Sequence, residues 1–367
     1  MNFDFSDDAK ALRDQARRFL EERAGPAVAR KAMNGDAAHD ADLWKAIVEL
    51  GWTAARVPEE FGGLGLSAEE SCVLAEEIGR SLAPIPFAST LAATEALLLA
   101  GTDAQKAKWL PVIADGSVIA CVAWAEGDAS SPASTRSVTA SGGKLSGVKT
   151  PVADLLAANL AIVTAAGPDG PSLHLVDLSG AGVAREAATT LDLVRRHGKL
   201  TLNGAAAEPM GDNAAFHNFL DRAAVLSAWE AIGTGSVAME MAVAYAKDRV
   251  AFGQRIGRYQ GVKHKLADMY VKLELARAHA LHGAWAMATD APELAHAAAA
   301  ARCAALDALK FCSEENVQLH GGIGFTWESD CQFYYRRNRQ LAFALGSRQW
   351  WADRLVRALE RRNARAA

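Results

Sequence analysis

Apolar residues recur every three or four positions from Ser6 to about Asp115, the spacing of amphipathic helices. In DAKALRDQARRFLEERA, Leu12, Ala16, Phe19 and Leu20 share one face, and Ser6-Asp7-Asp8 supplies a cap ahead of it. Leu43, Ile47, Val48 and Leu50 carry the rhythm to Gly51-Trp52. VPEEFGGLGLS then breaks it with a proline, several glycines and a serine, which predicts a loop. Helical spacing returns in AEESCVLAEEIGRSLA, STLAATEALLLAG and AQKAKWLPVIADGS, with Gly116 as the stop.

From Val118 to about Met210 the texture changes. VIACVAWAE, KLSGVKTPVADLLAANLAIVTA, SLHLVDLS and KLTLNGAAAE are short apolar or alternating runs parted by Gly, Ser, Asp and Pro, which predicts a small antiparallel β domain. After Ala214 long helical runs reach the end of the chain and suit a bundle with short loops. The expected fold is mainly α with a β insert: an N-terminal helical domain over 1–116, a middle antiparallel β domain over 117–213, and a C-terminal helical bundle over 214–367.

Composition adds limits. The 367 residues are half hydrophobic and carry a formal net charge of −4, which gives nucleic acid no electrostatic footing. Cys72, Cys121, Cys303, Cys312 and Cys331 are scattered without CxxC spacing and read as reduced thiols of a cytoplasmic protein. The start of the chain lacks the apolar core of a secretory leader. No run nears the roughly 18 apolar residues of a membrane span. His264, His279, His282 and His320 have no metal-like pairing, and no GxSxG stands out.

Two segments carry chemistry. In AYAKDRVAFGQRIGRYQGVKHKLAD, a helical run leads to Arg249, a break at Phe252-Gly253, and a second helix containing Gln260. An arginine fork matches phosphate oxygens, and glycine lets backbone approach a ligand closely. Downstream, QLHGGIGF places Gln318 one helical turn ahead of Gly321-Gly322, where two missing β-carbons leave backbone N–H groups able to face a nucleotide. Each signal alone is weak; a lone arginine at a helix end is usually a dipole partner.

Taken jointly with FDFSDDAKALRDQARRF, VPEEFGGLGLS, RVAFGQRIGRYQ and QLHGGIGFTWESDCQFYYRR, they resemble the acyl-CoA dehydrogenase family along essentially the whole chain. The resemblance implies the fold of that family, with a C-terminal four-helix bundle, FAD as cofactor, an acyl-CoA substrate, an external electron-transfer acceptor and a tetrameric assembly. It also implies that Arg249, Phe252, Gln260, Gln318, Gly321 and Gly322 serve the diphosphate and adenosine end of a neighbouring subunit's FAD.

Other positions depart from the family. Its catalytic glutamate removes the α proton of the thioester; here Leu345 stands at the commoner base position and Ala223 at the rarer one, and neither accepts a proton. Ala125 and Ala153 replace hydroxyls that hold the flavin ring, and Pro151 replaces an aromatic, while Glu126 and Ser131 persist. Ala224 occupies the position of an arginine that meets CoA phosphates, with Arg222 nearby on another face. A grip on the adenosine end without a base resembles the non-catalytic partner of heterotetrameric, steroid-type dehydrogenases. The expectation is therefore an FAD-completing subunit of a heteromer, in place of a homo-oligomer. Two alternatives stand beside it: a self-sufficient enzyme with Glu230, two helical turns past Ala223, as a relocated base of raised pKa, or a cofactor-free assembly protein of the same fold.

Overall fold

The computed structural model describes residues 4–127, 131–134 and 136–366. Three short helices, α1 (Asp7–Arg23), α2 (Pro26–Asn34) and α3 (Ala41–Glu49), lead through a 3₁₀ turn at Glu59–Phe61 into α4 (Ala68–Ser81), α5 (Phe87–Ala100) and α6 (Asp103–Ala114). Local chemistry sets their starts. Ser6 Oγ accepts from the Ala9 amide at 3.1 Å ahead of α1, and Thr102 and Gln105 form a reciprocal capping box at α6.

The middle of the chain forms an eight-stranded sheet: β1 (Ala120–Ala123), β2 (Thr139–Ser141), β3 (Lys144–Ala153), β4 (Leu160–Gly167), β5 (Gly170–Asp177), β6 (Val183–Ala188), β7 (His197–Ala206) and β8 (Glu208–Gly211). The strand order is β6-β7-β3-β2-β4-β5-β8, with β1 alongside β4. Pairing is antiparallel in the main, but β1 and β2 each run parallel to β4. The β4 burial pattern explains its readable sequence, since its first six residues are all buried. By contrast β6 is mostly solvated, and its VAREAA lacks an apolar stripe.

The bundle follows as α7 (Asn213–Asp248), a two-stranded hairpin at Val250–Arg255, α8 (Gln260–Ala288), α9 (Leu294–His320), α10 (Cys331–Phe343) and α11 (Arg348–Ala366). At 36 residues α7 spans about 54 Å and is the axis of the molecule. It packs on α4 through paired glycines. A β-carbon on Gly79 would lie 2.1 Å from the Glu230 carbonyl oxygen, and one on Gly233 would lie 2.0 Å from that of Glu76. The two backbones touch because neither residue has a side chain.

All five cysteines are buried and unbridged. No described helix is long and apolar enough to cross a membrane, and no group of His, Cys, Asp or Glu among the described residues is arranged to hold a metal.

Candidate functional site

Antiparallel packing brings the C-terminal end of α7, the N-terminal end of α8 and the C-terminal end of α9 to one end of the bundle. There the Tyr245 and His320 rings stack with centroids 4.1 Å apart, so the neighbourhoods of Arg249 and Gly321 meet. Tyr259 clamps the hairpin between them: its hydroxyl reaches the Ala251 carbonyl at 3.0 Å and that of Phe252 at 3.3 Å. At the tip Phe252 has a positive φ of 52° and is 95% exposed.

Arg249, Gln260 and Gln318 are exposed, and among the described residues their side chains bond to nothing. A β-carbon on Gly322 would meet no atom within 4 Å, and its φ is not in the left-handed region, so nothing inside the chain requires glycine there. Gln260 opens the long helix α8, whose N-terminal amides favour an anion. Free cationic and amide donors, a helix N-terminus and an uncluttered glycine backbone fit a dinucleotide diphosphate.

The second constellation is a cavity of about 710 Å³ where α5, the β1–β3 side of the sheet, α7 and the 344–345 turn converge. Leu345 and Ala223 both line it, far apart in sequence but together in space. Trp124 Nε1 donates to the Ala344 carbonyl at 2.7 Å and Trp351 Nε1 to that of Leu345 at 2.8 Å, fixing the turn from both sides.

Glu230 also lines the cavity, and here the expected raised pKa gives way to the opposite direction. Burial pushes this carboxyl up, but Arg195 and then Arg337 hold it below the usual carboxylate range. Arg195 Nη2 lies 2.8 Å from Oε1 and Nη1 3.3 Å from Oε2, while Arg337 Nη1 lies 3.1 Å from Oε1. Arg337 Nε in turn donates to Asp192 Oδ2 at 2.5 Å. The four side chains form a buried ionic cluster joining the segment before β7 to α7 and α10. A carboxylate so occupied is a poor proton acceptor.

The positions expected to meet a flavin ring are similarly engaged or blank. Ala125, Ala153 and Pro151 line the cavity and offer no side-chain donor. Glu126 accepts from the Arg136 and Ser137 amides at 2.8 Å each and from Lys149 Nζ at 2.6 Å, so it staples the sheet. Ser131 Oγ caps a local turn by accepting from the Ala133 amide. Arg222 is buried and paired with Glu95 and Asp290, which leaves it no reach toward CoA phosphates. The residues at this end fit a flavin ring poorly.

Sequence reasoning missed Asp192, Arg195, Arg337, Trp124 and Ser227, all of them at the cavity or its cluster. The signal for the first two was charge within the otherwise apolar LDLVRR. Their partners lie 35 to 145 residues away, and spacing cannot announce them.

Residues 6–117 match the family model for the acyl-CoA dehydrogenase N-terminal domain, and residues 211–360 match that for the C-terminal domain. Acyl-CoA dehydrogenase IpdE2 of Mycolicibacterium smegmatis is 33% identical over 342 residues, covering 93% of this chain and 95% of its own length. Among solved structures, a variant of the Tcur3481–Tcur3483 steroid ACAD has a TM-score of 0.90 at 31% identity, covering 97% of this chain and 99% of that one. The ChsE4–ChsE5 complex from Mycobacterium tuberculosis has a TM-score of 0.90 at 24% identity over 98% of this chain and 99% of that one, a likeness of fold.

Proposed function

The chain belongs to the acyl-CoA dehydrogenase family, and from that premise we propose that it is the FAD-completing subunit of a heteromeric dehydrogenase, without a base of its own. The family acts on the α,β bond of acyl-CoA thioesters, and FAD, when bound, supplies the hydride acceptor. In this reading Arg249, Phe252, Gln260, Gln318, Gly321 and Gly322 hold the diphosphate and adenosine end of an FAD whose ring rests in a homologous partner. Electrons then leave the assembly to an external acceptor.

One observation carries the proposal. The only carboxylates on the cavity wall, among the described residues, are Asp192 and Glu230, and both are committed to guanidinium groups, while Leu345 and Ala223, expected at the base positions, line the same wall. At the opposite end, the side-chain donors suited to a diphosphate have no partner among the described residues. Such a division makes sense when the halves of one site come from two polypeptides. Similarity to the two-component steroid ACAD favours a polycyclic acyl group as substrate of the assembled enzyme.

Purification of the chain alone, and co-expressed with a homologous catalytic subunit, tests this. Flavin absorbance and dehydrogenase turnover are expected only in the co-expressed preparation. Turnover by the single chain would sink the proposal, and no flavin in either preparation would favour a cofactor-free assembly role.

A further inference from the structure

Three serines and threonines lie within α7, and two of them bond in the way helices usually absorb a hydroxyl. Thr234 donates to the Glu230 carbonyl at 2.9 Å and Ser236 to the Ile232 carbonyl at 2.8 Å. Ser227 differs. Its Oγ accepts from Arg302 Nη1 at 2.7 Å, and because a guanidinium only donates, the Ser227 proton is left without an acceptor among the described residues.

Arg302 is itself unusual. It is fully buried and makes no ion pair among the described residues, and its Nε has no hydrogen-bond partner. Its remaining bond runs from Nη2 to the Leu341 carbonyl at 2.5 Å. Burial presses its pKa down to about 10, which still leaves it charged at neutral pH. Ser227 and Leu341, the two groups that Arg302 grips, both line the cavity. Gln340 lines it too, with a buried Oε1 that finds no partner. The other charged groups on the wall are already paired: Asp192, Arg195 and Glu230 within the ionic cluster, and Arg339 with Glu314 and Tyr335.

We propose that Ser227, backed by the Arg302 guanidinium, is the anchoring donor for a carbonyl or carboxylate oxygen of an apolar ligand held in this chain's own cavity. An oxygen entering this mainly apolar chamber meets one free hydroxyl proton with an unneutralised cation directly behind it. Charge-backed hydrogen bonds of this kind are the strong ones. The volume falls in the range of small-molecule sites, about 300–1,000 Å³. A free apolar acid and the acyl group of a thioester both present such an oxygen. The inference is independent of the nucleotide grip, since Ser227 and Arg249 are separated by about 33 Å along α7.

The full chain titrated by calorimetry with lauric acid, and separately with lauroyl-CoA, distinguishes the two sources. Saturable one-to-one binding of at least one is expected, and the tighter of the two identifies the form recognised. Ser227→Ala also takes an acceptor from buried Arg302 and so lowers the thermal midpoint; compared at a temperature where circular dichroism shows both chains folded, it is expected to weaken that binding about tenfold or more, while Ser227→Thr, which keeps the hydroxyl, stays within about threefold of the parent. Equal affinity of the parent and Ser227→Ala, or no saturable heat from either compound, overturns the proposal. FAD content of the co-expressed assembly is expected to be the same with Ser227→Ala. Its loss would move Ser227 to the cofactor site and overturn the assignment as well.

Discussion

At the scale of single residues, burial decides which charges are usable. Asp221 on α7 is buried beneath α11, where Arg354 holds it through Nε at 2.9 Å and Nη2 at 2.7 Å. Desolvation outweighs that attraction and pushes the carboxyl from 3.8 up to about 6. A carboxyl raised on folding binds its proton more tightly in the folded chain. Its contribution to stability is therefore full below about pH 4 and is lost as pH climbs through 6. Asp221→Asn cannot titrate, so the stability of the parent relative to this variant should fall by about 1–3 kcal/mol between pH 4 and 7, measured by urea unfolding at both. Lys149 illustrates the same competition. Burial lowers it to about 8 even though Glu126 lies 2.6 Å away.

At the scale of elements, the ionic cluster ties the segment before β7 to α7 and α10. Removing the Glu230 carboxylate would leave two buried guanidinium groups with Asp192 as their one remaining counter-ion in the cluster. Glu230→Gln is therefore expected to cost about 3–5 kcal/mol, read as a fall in the denaturant midpoint. The same variant separates two roles. A relocated base would lose turnover while stability stayed near that of the parent, whereas a framework ion loses stability first. This cluster also marks the limit of what the sequence made readable. The helices were legible because their apolar spacing is local, and β4 because it is buried on both faces. Solvated β6 was not, and although VIACVAWAE was readable as a strand, the parallel pairing of β1 and β2 with β4 was not, because pairing joins segments with no shared local pattern. The residues proposed for the nucleotide stand in contiguous motifs and so could be picked out as candidates, whereas the fate of Glu230 depended on Arg195 and Arg337, 35 and 107 residues away.

At the scale of the whole molecule, exposed apolar side chains gather around the proposed nucleotide grip. Phe252 is 95% exposed and Phe325 83%, and Val250, Ile323 and Trp327 are each about half exposed. Large aromatic groups left in water near one end of a bundle are costly unless another surface covers them. Arg249 sits at the hairpin base, its side chain without a partner among the described residues. Arg249→Ala should leave the thermal midpoint of the isolated chain unchanged, yet weaken FAD retention by the assembled heteromer roughly 10- to 100-fold, as expected for a lost charge-assisted bond to phosphate. Flavin absorbance per heteromer after gel filtration measures it. A fall in the midpoint of the isolated chain would mean that the arginine props up the fold.

The Tyr259 hydroxyl, donating to the Ala251 and Phe252 carbonyls, tethers the hairpin tip within the chain by itself. A surface meeting Phe252 therefore has less backbone freedom left to immobilise there. Tyr259→Phe should consequently slow capture of that surface while leaving the shape of the finished contact as it was, because only the search would have become longer.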